Sequence, residues 1–189
     1  MKEGKVNVKY FVYAIWFCCV AVSLYFYFFA GDALQAKLTG IFGSSLILGY
    51  AVYLIAGCLR GFTLVPITYF LVAGIILLPP WPLYILTMIG ALVSSASVYY
   101  FSEYLNFDQY FEDKHPKEIK KIKDFLTRYE LPVVIGWSFM PFLPTDLICY
   151  VCGAMEIDIR KFLLGVFIGE GIACAVYVFL GKEILSFIF

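Results

Sequence analysis

The chain has 189 residues, 14 basic and 14 acidic side chains, 62% hydrophobic and 20% aromatic residues, and a mean hydropathy of +0.87. Soluble domains are nearer half apolar and a quarter charged. With only 15% charged residues, the composition excludes a soluble globular protein and predicts an all-α integral membrane protein. No basic patch suits nucleic acid, and six cysteines scattered through apolar segments exclude a secreted disulfide framework.

The first element predicted is an uncleaved anchor helix over about residues 10–30, preceded by Lys2, Lys5 and Lys9. Its apolar run is too long for a signal-peptide core and long enough to span. Residues 1–38 form this anchor and a loop; residues 39–189 form the main membrane domain. A second span is expected over about 39–58, with Gly43, Ser44, Ser45 and Gly49 allowing close helix approach.

From Arg60 the apolar pattern is interrupted. Arg60-Gly-Phe-Thr-Leu-Val-Pro66 is followed by Gly74, Pro79, Pro80, Pro82 and Gly90. Residues 62–80 read as a broken or re-entrant helix. The proline cluster predicts a break there, and a full span follows over 83–102. The charged stretch 103–130 is the water-facing linker. Within it Pro116 opens an amphipathic helix with Ile119, Ile122, Phe125, Leu126 and Tyr129 on one face, lying on the headgroups, packed on the membrane domain, or serving as a solvated connector. A second interrupted unit covers 131–153, and a last span runs over about 160–181. Gly74 and Gly90 fall on Gly153 and Gly169 with one offset of 79 residues, and Pro66 falls on Pro144 with an offset of 78. The expected fold is therefore two re-entrant, broken-helix hairpins in an inverted repeat (60–102 and 131–181) plus about four transmembrane helices. Paired interruptions of this kind point to a transporter's binding site.

Ionisable groups at membrane depth are costly and are functional candidates by default. Between Ala33 and Ser102 the only charges are Lys37 and Arg60. Arg60 is either a phosphate- or carboxylate-binding fork or a snorkelling anchor. Asp146, beside Pro144, either binds a cation or proton or caps the helix that starts there. Glu170, between Gly169 and Gly171, is not expected to face lipid; Arg60, Arg160 and Lys161 are its candidate partners. Glu156, Asp158, Arg160 and Lys161 otherwise read as a solvated turn. Cys149-x-x-Cys152 has no second Cys/His pair nearby, so two small apolar residues on one helix face is preferred to redox chemistry. No nucleophile triad, phosphate-cradling loop or zinc-binding pattern is present, so no enzyme activity, metal or cofactor is expected.

The stretch Phe139-Met-Pro141-Phe-Leu-Pro144-Thr-Asp146-Leu-Ile-Cys-Tyr150-Val-Cys-Gly153, continued by Phe162, Gly165, Gly169, Tyr177 and Gly181, resembles the signature of the DedA family of VTT-domain, or SNARE-associated, membrane proteins. The resemblance covers roughly residues 40–185. It implies two re-entrant hairpins facing each other from opposite leaflets, a prokaryotic plasma-membrane location, and translocation of phospholipid or of undecaprenyl-phosphate-type carriers, with coupling to H+ or Na+ in some members. Two departures stand out: the family's arginine before the second motif is Ser138 here, and no acid occupies the first half.

The resulting expectation is a flippase- or scramblase-like lipid translocase whose pathway uses Arg60, Pro66, Gly74, Pro141, Pro144, Asp146, Tyr150, Gly153, Arg160, Lys161 and Glu170. A coupled transporter of a small solute and a membrane scaffold are the alternatives. A homo-oligomer is compatible with each.

Overall fold

The structure, a computed structural model, describes residues 45–63, 67–105, 116–140 and 143–188. The expected anchor helix, Gly43 and Ser44, Pro66 and Pro141 lie outside these residues. Among the described residues every element is helical: α1 (Leu46–Leu59), a 3-10 turn (Arg60–Phe62), α2 (Ile67–Leu77), α3 (Pro80–Leu105), α4 (Pro116–Phe139), α5 (Thr145–Ala154) and α6 (Ile159–Ile188).

The order repeats. In each half a helix enters a turn, a short helix leaves it, a break follows, and a long helix completes the unit. Both turns fold their flanking helices back on each other. Tyr53 of α1 meets Phe70 of α2 with ring centroids 5.2 Å apart, while Val134 of α4 shares a core with Ile148 and Cys152 of α5. At about 1.5 Å per residue, α1, α2 and α5 are too short to cross the roughly 30 Å hydrocarbon layer. Among the described residues two helices are long and apolar enough to do so, Pro80–Leu105 and Ile159–Gly181.

Two boundaries differ from the sequence expectation, each for a physical reason, and a third is marked by a kink. The first unit begins with α1 and not at Arg60, because the chain passes from α1 into the Arg60 turn without a break. Pro80 and Pro82 lie inside the first turn of α3 rather than outside a helix; amide donors are unsatisfied in a first turn in any case, so proline costs little there. The amphipathic helix ends in a kink at Tyr129, whose φ of −119° and ψ of 26° are non-helical, and a second helical stretch runs on to Phe139, so the expected boundary at Glu130 coincides with the kink. Pro132 causes the bend: it lacks the amide that would bond to Arg128, and its ring crowds that carbonyl.

The halves are interlocked. α2 buries Leu71 and Ile75 with Cys174 and Val178 of α6, and α5 buries Cys149 and Cys152 with Val98 and Tyr99 of α3. Each short helix thus uses the other half's long helix. Crossings are close where glycine removes the side chain. Gly90 of α3 lies against Gly57 of α1, and Gly169 of α6 lies against Ile135 and Ser138 of α4. The 79-residue offset between Gly90 and Gly169 therefore marks one packing joint made twice.

Candidate functional site

The interlocked helices converge on three ionisable side chains. The 3-10 turn after α1 buries Arg60. Pro144, in an extended conformation, starts α5 and sets Asp146 in its first turn. Glu170 lies within α6, on the side facing the other two. Arg60 Nη2 stands 3.6 Å from Asp146 Oδ1 and 3.6 Å from Glu170 Oε1. The Arg60 side chain is 2% exposed and both acids are 0% exposed.

Two ion pairs therefore share one guanidinium nitrogen at a separation longer than a hydrogen bond. Arg60 Nη1 and Nη2 and all four carboxylate oxygens are buried without a hydrogen-bond partner. One positive charge faces two negative charges. Burying ions costs several kcal/mol each even after relaxation, and apolar side chains of similar size often serve stability as well or better. An unsatisfied, charge-unbalanced cluster is thus not a stabilising device. Its chemistry suits a centre that takes up a compensating proton or cation, or that opens.

Small residues surround the cluster. Ser94 on α3 accepts the Gly61 amide hydrogen bond at 2.8 Å, and a side chain at Gly61 would collide with Ser94, Val98 and Asp146. That closeness is what lets the Arg60 turn reach the acids. Beside Arg60, a space of about 10 Å³ bounded by Tyr53, Gly57, Thr87 and Ala91 is enough for about one water molecule. Tyr53 and Thr87 close it with a 2.8 Å hydroxyl–hydroxyl hydrogen bond.

The candidates fall into two groups. Arg60, Asp146, Glu170 and the Pro144 helix start come together, and Arg60 is the partner that Glu170 has here. Arg60 is not a snorkelling anchor, and Asp146 makes no cap hydrogen bond. The others lie apart. Gly74 packs against Leu83 and Tyr53, and Gly153 against the Tyr99 carbonyl and Ser102; the Tyr150 carbonyl accepts from Ser102 Oγ at 2.7 Å. Lys161 pairs with Glu130 at 3.3 Å, while Arg160 is exposed and its amide is held by Asp158 at 2.8 Å. Cys149 and Cys152 are buried free thiols in the core.

Sequence reasoning missed the hydroxyl lining of α3. Thr87, Ser94, Ser95 and Ser102 are buried, and their recurrence with Gly90 and Ala91 at roughly helical spacing in an apolar span was the available signal.

Residues 65–183 match the VTT domain family. An uncharacterised protein of the archaeon Methanocaldococcus jannaschii is 30% identical over 110 residues, covering 56% of this chain and 66% of that protein, just under two thirds. No solved structure matches.

Proposed function

This chain belongs to the VTT-domain family of integral membrane proteins, and from that premise we propose that it translocates lipid across the bilayer. On this reading the two hairpins are re-entrant from opposite leaflets in a prokaryotic plasma membrane. The headgroup of a phospholipid or polyprenyl phosphate passes between their turns while its chains stay in hydrocarbon.

The observation that carries the reading is the buried Arg60–Asp146–Glu170 cluster at the meeting point of both halves. An anionic headgroup would draw Arg60 from the acids as the turns part. A proton or Na+ would balance the acids when Arg60 is between them. On this reading the described structure is the closed state. A lipid cargo suits it better than a water-soluble one because the space beside Arg60 has room for about one water molecule, not a polar vestibule. Neither reading needs an enzyme step or a cofactor.

The charge imbalance also favours a second reading, a small-solute transporter coupled to H+ or Na+. One experiment separates the two. Proteoliposomes carrying fluorescent phospholipid or labelled polyprenyl phosphate are treated with dithionite, using wild type, Arg60→Ala and Asp146→Asn. Lipid translocation predicts that wild type exposes inner-leaflet label and that both variants fail. Label that stays protected with folded wild type, at every pH and sodium concentration tried, rules out the lipid reading.

A further inference from the structure

Away from the charged cluster, α4 and α5 enclose a groove of about 500 Å³, within the roughly 300–1,000 Å³ range of ligand-sized pockets. Its walls include Ile122, Phe125, Val133, Trp137, Leu147 and Val151, and its one charged lining residue is Lys121. The Trp137 N–H is directed to the Pro144 carbonyl at 3.3 Å, so the indole offers the groove hydrocarbon surface. Ile122, Phe125 and Leu147 are among the exposed large apolar residues.

The groove is amphipathic end to end. Lys121 stands at its start, beside exposed Lys120, and Trp137 lines the same groove beyond the kink at Tyr129. Of the acids on α4 whose side chains are described, Glu130 is engaged by Lys161, and Asp124 stands one turn from both Lys120 and Lys121. Asp124 and Glu130 are not among the residues that line the groove. An extended peptide is a poor occupant, because the walls are helices whose backbone groups are already paired.

We propose that this groove holds one acyl chain of an anionic phospholipid, with the lipid phosphate paired to Lys121. A zwitterionic lipid brings the same hydrocarbon but little net charge for the lysine. The site needs the bilayer but not lipid translocation, so it stands or falls separately from the proposed function.

Trp137 is its built-in reporter. Trp16→Phe with Trp81→Phe leaves Trp137 as the single tryptophan of the full chain. This protein is placed in phosphatidylcholine vesicles containing a minor fraction of acyl-brominated phosphatidylglycerol or, separately, acyl-brominated phosphatidylcholine. The expected result is that the glycerol lipid quenches Trp137 at about fivefold lower mole fraction, the factor for one lysine at an anionic surface. Lys121→Gln brings the two lipids to parity, whereas Lys161→Gln, outside the groove, does not. Equal quenching in wild type means the groove is bathed by bulk lipid, and no quenching by either means protein covers it; each outcome overturns the proposal. Should the tryptophan variant not fold, native mass spectrometry of unaltered protein from mixed vesicles decides. A retained phosphatidylglycerol that Lys121→Gln lacks supports the site, and its absence from wild type removes it.

Discussion

The two halves share a backbone plan but not a charge plan. In the first half the turn carries Arg60; the matching position of the second turn is Ser138, buried with its hydroxyl unpartnered. In the second half Asp146 and Glu170 enter the core, while their first-half counterparts by the 78- and 79-residue offsets are Thr68 and Ala91. The base comes from one half and both acids from the other. Neither half contains an ion pair of the cluster within itself, so the repeat supplies the frame and divergence within it supplies the chemistry.

Breaking the arrangement from the first half should have the largest effect. Arg60→Ala leaves two buried acids facing each other and is expected to cost about 3–5 kcal/mol, read as the midpoint shift in detergent unfolding. Adding Asp146→Asn and Glu170→Gln to it should return most of that loss. A triple variant no more stable than Arg60→Ala would show that the acids do not depend on the guanidinium.

The glycine joints test how far the backbone plan is equal. A methyl at Gly169 would lie 2.6 Å from the Ile135 carbonyl oxygen, a backbone atom, whereas one at Gly90 lies 3.3 Å from Gly57. Gly169→Ala is expected to destabilise by about 1–3 kcal/mol through overpacking, and Gly90→Ala by less. Gly136, with nothing within 4 Å of an added methyl, should gain up to about 1 kcal/mol as alanine from helix propensity. The same unfolding measurement ranks all three.

Breaking the second half's charge should do less to the fold and more to function. Asp146→Asn leaves one base facing one acid, so stability is expected to stay within about 1 kcal/mol of wild type or to rise. Wild-type melting temperature should climb as pH falls or as sodium is added, because the counter-ion binds the folded state. In Asp146→Asn that response should vanish. A response that survives places the compensating charge elsewhere.

The smallest effect is expected at Lys161. Its side chain is 60% exposed although its partner Glu130 is buried, so Lys161→Gln should change stability by less than about 1 kcal/mol. A larger loss would mean the α4–α6 contact relies on that pair more than exposed pairs usually allow.

Much of this architecture was legible because bilayer constraints are severe. Arg60, Asp146 and Glu170 stood out as charges in apolar surroundings, and the glycine offsets marked the repeated joints. Partnership was carried only in part: Arg60 was one of three candidate partners for Glu170, and nothing paired it with Asp146. Nothing local to Arg60 indicates that its acids lie in α5 and α6, because that depends on each half reaching across to the other's long helix. The start of the first unit was misplaced for a related reason: α1 reads as a long apolar run, and only its fold-back onto α2 through Tyr53 identifies it as an arm of the hairpin. Pro132 was visible, but whether it ends a helix or bends one depends on the packing of Val134 beyond it.

The interlock also sets the order in which the protein can be made. When the Arg60 turn first reaches the membrane, neither acid has been synthesised, and a lone arginine at the centre of an inserting helix costs at least about 2.5 kcal/mol. The first half is therefore expected to hold its guanidinium near water until α5 and α6 supply the acids, so that Arg60 settles late.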